Sequence, residues 1–398
     1  MAMDATLVAG SVETGDLLSN RIPIDMSPDI TRKLEMNAPF TVILDMMGAF
    51  ESCTGRKFEW MERDDYQNTV DLSTAYTADA ATMTMATDYV RLRLGDILYH
   101  PGTDVHFRVT TSGTMDSTVD VTSNWPSTSG ASAIDAGDSL YLLGNAQDEF
   151  SDVRQLLSST PSAKYNYIQT FRNPFGVSGR VAANELIGPS EIEFLDADHF
   201  RAFNREREMG LLWGNRGLQA SSNVTASGGL KYFMDAAGSS CHQRDMSGLV
   251  LSHAEWDDFL KDAMYYASGP EKLLITGRNV PAYINGFAKK YLTLDMDIAK
   301  WGLKIQVYDT PDGTLRILHH KLFTELGLDD EAWVVDLPSL TRRGLAGQRS
   351  TPHLNTGPGG NGLQDNGEDG IKYEYFVEEG LQFRHAERFA RIYNVASA

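Results

Sequence analysis

Hydrophobic positions change their period within the stretch Tyr165–Gly217, and the rest of the chain can be placed around it. Its first half reads as an extended segment. In its second half Ile192, Leu195, Ala202, Phe203, Gly210 and Trp213 recur at three- and four-residue steps, which puts them on one helix face with Arg201, Arg205 and Glu208 opposite. Ser190 and Glu193 predict a capping box: the hydroxyl accepts the Glu193 N–H, and the carboxylate reaches back to the cap on the positive end of the helix dipole. Gly214 and Gly217 predict a left-handed stop. The result is a helix over 191–213 of about 24 residues and roughly 35 Å, long enough to act as a beam. Phe194, Phe200, Leu211 and Leu212 fall off the stripe. They either touch flanking layers of the same subunit or form a contact face for another copy, and the pattern leaves both readings open.

Upstream, residues 1–38 mix Gly, Ser, Asp and Pro with short apolar pairs and no period, which predicts an arm that becomes ordered against something else. A short apolar helix is predicted over Pro39–Phe50. A strand comes next over Lys57–Arg63, with Phe58 and Trp60 on one face and Glu59 and Met61 on the other. Between Leu72 and Asp148 the composition shifts to Thr, Ser, Ala, Gly and β-branched residues. There Tyr89–Leu94, Val105–Thr110 and Asp138–Leu143 read as strands of a small all-β module. Neither flanking strand has its partner nearby in sequence, so the module reads as an insertion.

After the long helix the chain turns α/β. Ser252 and Glu255 predict a second capping box, opening a helix with Trp256, Phe259, Leu260 and Ala263 at helical spacing. Lys272–Thr276 is a buried-type strand, followed by a helix over Asn279–Tyr291. Gly302–Tyr308 and Thr314–His319 flank the turn Asp309–Gly313, a hairpin signal, and Ala332–Asp336 is another strand. Residues 344–370 form a Gly-rich loop, and Lys372–Gly380 and Arg388–Tyr393 are two closing strands around a Gly turn. The fold class is α+β.

Charge is the outlier of the composition. Fifty-four acidic residues against 35 basic ones give a net charge of -19, which argues against a nucleic-acid reader that works by neutralising phosphates. The two cysteines, Cys53 and Cys241, are far apart with no CxxC, so neither a disulfide framework nor a zinc ribbon is available. The N-terminus has no basic segment leading into an apolar one, and nowhere do 18 apolar residues run together, so neither a signal peptide nor a membrane partner is expected.

No motif reads as a catalytic site. Asp365–Gly370 resembles a calcium loop, but the position of the bidentate Glu holds Phe376. Gly357–Gly362 lacks a preceding strand and a Gly-Lys-Ser/Thr, and His319 and His320 point to opposite faces of a strand. Gly176–Gly179 is one residue short of a nucleophile elbow. Asp64-Asp65 and Asp257-Asp258 are ordinary neighbours in so acidic a chain. The expectation is no catalytic residue, no cofactor, no metal ligand and no enzyme activity.

Several runs, spread over nearly the whole chain in consistent order, resemble the major capsid proteins of tailed phages. They are NAPFTVIL (37–44), KFEWMERD (57–64), FRNPFGVSGRVAANEL (171–186), REREMGLLWGNRG (205–217), SGGLKYFM (227–234) and YFVEEGLQFRHAERFARI (375–392). The resemblance implies the Hong Kong 97-type capsid fold: an N-terminal arm, an extended loop, a peripheral domain with a long spine helix, and an axial domain. Carried onto this chain, the arm and short helix occupy 1–54, the extended-loop strands 55–70 and 165–185, and the inserted β-rich module 72–148. The peripheral domain takes 186–234 and 371–398 with its spine at 191–213, the axial domain 235–345, and the Gly-rich loop 346–370.

The function implied is a structural subunit that self-assembles into the icosahedral shell around the phage double-stranded DNA. The alternative is a virion decoration or receptor-binding surface protein, suggested by the Thr/Ser-rich insert. Implied partners are many copies of the chain as hexamers and pentamers, scaffold, portal and decoration or cement proteins, and packaged DNA without sequence-specific binding. The place is the virion capsid, assembled in the host bacterial cytoplasm. Candidate subunit-interface residues are Phe58, Trp60, Phe194, Phe200, Leu211 and Leu212.

Overall fold

Strands with apolar side chains on both faces need a cover on each side, and two runs in this chain, Glu271–Thr276 and Ala332–Val335, are of that kind. In the computed structural model, which describes residues 38–63, 68–86, 89–111, 116–127, 129–151, 156, 158, 160–184, 190–221, 223–236, 239–288, 306–311, 313–347, 353–355 and 370–397, they are neighbours at the centre of a six-stranded sheet. Its order is His242–Asp245, Ala390–Tyr393, Ala332–Val335, Glu271–Thr276, Gly313–His319, Gln306–Thr310. Leu273, Ile275, Trp333 and Val335 point into one core, shared with the helix Pro39–Met46 and with Leu211 and Leu212 of the long helix. Leu274, Ala332 and Val334 point into another, closed by Trp256, Phe259, Leu260 and Ala263 of the helix His253–Tyr265. Burying one such Leu or Val stabilises by about 1.5–3 kcal/mol, so these two faces hold the larger of the chain's two compact units together.

That unit comprises Met1–Trp60 with Lys164–Ala398. Its second sheet is built on the 14-residue strand Gly370–Phe383, which pairs antiparallel with Gln169–Ser178, Leu340–Leu345 and His353–Asn355. Phe50–Cys53 lies parallel to Leu340–Leu345 at the edge. The long helix spans Glu191–Trp213, 23 residues, and Ser190 Oγ accepts the Glu193 N–H at 3.3 Å. Both halves of the second box form at Ser252 and Glu255.

The smaller unit, Met61–Ala163, is a six-stranded sheet ordered Thr69–Asp71, Ser139–Asn145, Asp96–His100, Val105–Val109, Thr118–Thr122, Thr82–Thr84. Its two end strands meet each other. Leu72 bridges Met85, Ser73 N–H donates to Thr84 at 2.9 Å and Ala86 N–H to Asp71 at 2.7 Å, so the sheet closes into a barrel around Leu98, Phe107, Val109, Val119 and Leu140.

Several expectations are corrected. The closing strands do not form a hairpin at Gly380: that residue sits inside Gly370–Phe383 opposite Arg343, and Ala390–Tyr393 joins the other sheet. Of the expected ribbon over 165–185, the part up to Tyr167 pairs with Lys57–Glu62, while Gln169–Ser178 enters the five-stranded sheet. Tyr89–Arg91 is a 3-10 turn, closed by the Leu92 N–H on Tyr89 at 3.0 Å and followed by Gly95 at φ +84°. Gly214 ends the long helix at φ -54°, not in the left-handed region. Glycine is needed there because a Cβ would lie 2.3 Å from the Gly210 carbonyl and 2.6 Å from that of Ser227. The arm up to residue 37, most of the Gly-rich loop, the ends of the elements predicted at Asn279–Tyr291 and Gly302–Tyr308, Asp64-Asp65, the Gly357–Gly362 run and the calcium-loop pattern (bar Gly370) lie outside the described residues.

Candidate functional site

The helix Pro39–Met46 begins with an uncapped end. Ala38 offers no side-chain acceptor, and Pro39 removes one N–H, but the amides of Phe40 and Thr41 remain orphaned and buried. The long helix supplies the missing cap. Glu208, fully buried, accepts Phe40 N–H at Oε1 and Thr41 N–H at Oε2, both at 2.9 Å, and the Thr41 hydroxyl at 2.8 Å. A carboxylate in this position meets both the orphan donors and the positive end of the helix dipole.

Its fourth bond is to His320 Nε2, at 2.5 Å. The other ring nitrogen, Nδ1, accepts Leu322 N–H at 3.2 Å, so the ring hydrogen sits on Nε2 and is donated to Glu208.

The other end of the same short helix is held by ions. Asp45 pairs with Arg342 at 2.6 Å, Arg342 with Glu379 at 3.3 Å, and Glu379 takes a two-pronged grip from Arg207, at 2.7 and 3.1 Å. Arg207 precedes Glu208 in the long helix, so the contacts form a closed ring that clamps Pro39–Met46 at both ends. Burial raises the Asp45 carboxyl above the usual range, opposed by Arg342 beside it. Fixing an ion pair of this depth adds little net stability over apolar packing, but losing one partner leaves a buried charge unmatched. The ring therefore fixes Pro39–Met46 against the long helix.

The sequence-predicted interface residues are dispersed. Leu211 and Leu212 belong to the subunit's own core, 1 % and 0 % exposed, and have no surface to offer another copy. The open choice left by the helix pattern is settled for them by the buried face, which runs through Phe203, Arg207, Glu208, Leu211 and Leu212. Phe58 and Trp60 do share a face, but that face is inward: they are 6 % and 7 % exposed, packed with Ile168 and, through Trp60, on Phe233 at 6.1 Å. Phe200 is 45 % exposed, its ring 5.3 Å from Tyr375, and Phe194 is half-buried. Gly210 and Trp213, expected in the core stripe, line an open groove of about 640 Å³ with Phe171, Met209 and Leu326.

Glu208 itself, expected on the polar face, is the residue that sequence reasoning missed. A signal was present: the apolar helix starting at Pro39 lacks a Ser, Thr, Asp or Asn in front of it, so its cap had to come from elsewhere. Among the described residues no three His, Cys, Asp or Glu side chains converge to hold a metal. Cys241 packs against the Phe389 carbonyl at 3.2 Å, and burial pushes its thiol up to about 12, far from a nucleophile's range.

A long helix laid beside one sheet and packed against a second sheet covered on both faces makes up the larger unit, and the fold is of the Hong Kong 97 capsid type. The subunit of the cyanophage A-1(L) capsid shares it with a TM-score of 0.51 at 10% identity, over 95% of this chain and 98% of that one. Weaker likenesses, each at a TM-score of 0.46, are to the capsid of Myoviridae phage XM1 (9% identity, 96% of this chain and 99% of that) and to that of the native GTA particle (8% identity, 96% and 97%). The family model of the SU10 major capsid protein matches residues 8–396, and the chain belongs to that family: it is a major capsid protein, a structural subunit of a shell. A search of curated protein sequences finds no match.

Proposed function

We propose that copies of this chain associate as hexamers and pentamers into an icosahedral shell around packaged double-stranded DNA, assembled in the cytoplasm of a host bacterium. The family match over residues 8–396 carries this reading. Scaffold, portal and decoration or cement proteins are the further partners. A net charge of -19 keeps the wall from gluing down phosphate, so DNA is held without sequence reading. Arg32 and Lys33, outside the described residues, are the cations assigned to local DNA contact. The chain has no catalytic role in this reading.

Within the shell, Glu191–Trp213 acts as the spine and the ribbon of Lys57–Glu62 with Ser162–Tyr167 as the extended loop. The six-stranded sheet forms the body of the axial domain, and the barrel is an insertion. Phe200, with Phe194, is the part of the spine assigned to contact with a neighbouring copy.

Electron microscopy of the purified chain tests the proposal, with closed shells of sixfold and fivefold capsomers expected. A protein that stays monomeric under all conditions, together with virions that lack it, refutes it. Quantitative mass spectrometry of virions separates the shell from a surface accessory by copy number: a handful per particle favours the accessory.

A further inference from the structure

Among the described residues, most arginines of the larger unit already have an anion. Arg172 holds Glu374, Arg207 holds Glu379, Arg316 holds Glu271, Arg343 holds Glu51 and Arg391 holds Glu331. Arg216 is different. Its hydrogen bond is to a neutral group, from Nη1 to the Tyr165 carbonyl at 2.9 Å, and its plane is held by rings on two sides. The guanidinium carbon is 4.0 Å from the Tyr165 centroid and 5.1 Å from that of Tyr232. Lys57 Nζ lies 4.4 Å from the same Tyr165 ring, and Tyr167 meets Tyr165 edge-on at 5.7 Å. Among the described residues, Nε and Nη2 of Arg216 have no protein acceptor, and neither is sealed from solvent.

A guanidinium stacked in this way has its orientation fixed before anything binds, so little rotamer freedom is lost when a planar two-oxygen anion meets the fork. We propose that Arg216, with Lys57 over the same Tyr165 ring, is a receptor for a carboxylate of a second copy of this chain. The inference rests on the shell reading above. Charge complementarity selects the occupant: with 54 acidic residues against 35 basic, a facing copy presents carboxylates in excess. A nucleic-acid backbone fits less well, because tracking it takes a run of cations and this ledge supplies two, one of them already sharing Glu59.

The test compares assembly of the full chain with that of Arg216→Gln, Arg216→Lys and Lys57→Gln. Light scattering reads the subunit concentration for half-assembly, electron microscopy the product, and thermal melting the fold. Arg216→Gln is expected to raise that concentration about tenfold, with Arg216→Lys between it and wild type, because an ammonium keeps the charge but loses the fork. Added salt is expected to weaken wild-type assembly toward the Arg216→Gln level. Should Arg216→Gln fail to fold, Lys57→Gln and the salt series decide, since Lys57 is exposed and its loss leaves no buried group unpaired. Wild-type assembly concentrations and salt dependence in the variants overturn the proposal. So do variant shells that form normally but lack DNA, which assign the ledge to the genome instead. A wild-type chain that forms no shell at all overturns the shell reading, and this inference with it.

Discussion

Glu208→Gln changes one atom in the ring that anchors Pro39–Met46, and the geometry fixes its cost. An amide nitrogen at the Oε1 position faces two donors, Phe40 N–H and His320 Nε2–H, and the ring cannot swap its hydrogen without setting Nδ1–H against Leu322 N–H. Turned over, the nitrogen faces Thr41 N–H, while the Thr41 hydroxyl can rotate to accept. Either rotamer leaves at least one buried donor opposed and removes the charge from the remaining bonds. Hydrogen bonds to a charged group contribute about 1.5–3 kcal/mol each and a buried unmet donor costs about 1–3 kcal/mol, so a loss of about 3–5 kcal/mol is expected. Spread over a unit of this size, that is a fall of about 5–10 °C in the melting temperature of the unassembled subunit. Calorimetry reads the fall, and hydrogen exchange reads its place: the amides of Phe40 and Thr41 should lose protection first. A variant that melts within a degree of wild type, with those amides still protected, would show that Glu208 does not cap the helix.

Gly229→Ala should destabilise by about 1–3 kcal/mol in chemical denaturation, because its Cβ would fall 2.7–2.9 Å from backbone atoms of Gly214, Gly210 and Leu211, none of which can swing away. Cys241 should resist thiol reagents in the native subunit: with its thiol pushed up to about 12, about one molecule in ten thousand is thiolate at pH 8, so labelling that keeps pace with the half-buried Cys53 would contradict the packing. Burial lowers the Lys272 ammonium from 10.5 to about 8, so between those values the folded state binds fewer protons than the unfolded one and stability rises with pH. From pH 8 to 9 wild type should gain about 1 kcal/mol relative to Lys272→Met in denaturant titrations, a comparison in which the opposing ionisation of the unfolded Cys241 thiol is common to both proteins and cancels. Phe200→Ser should leave melting within a few degrees but lower shell yield, and equal yields would remove Phe200 from the interface.

What could be read from sequence was whatever a single element decides for itself. Ser190 and Ser252 start their helices, Phe58 and Trp60 share a face, and the turn at Asp309–Gly313 closes its hairpin, because each depends on neighbours within a few residues. The clamp is of another kind. Arg207 and Glu208 look like solvent-facing charges to any hydrophobic pattern, and their burial makes sense once Glu379, Arg342, His320 and the uncapped Pro39 helix are brought to the same place from 112 or more residues away. Gly380 misleads for a similar reason. A Gly between two apolar runs signals a turn, but here it admits Tyr167 to close approach: its Cβ would stand 2.5 Å from the Tyr167 carbonyl.

The closure of the Met61–Ala163 sheet at Leu72 and Met85 bears on how such a chain can be stacked by the shell-load. In a lattice, identical modules are held at a fixed and very high local concentration for the life of the particle, the condition under which bare strand margins knit to one another across molecules. A barrel whose first and last strands are already bonded to each other presents no such margin to its twin. The module is thereby free to diverge in sequence and surface without recruiting its neighbours into a fibre, a tolerance that an open sheet of the same strands would lack.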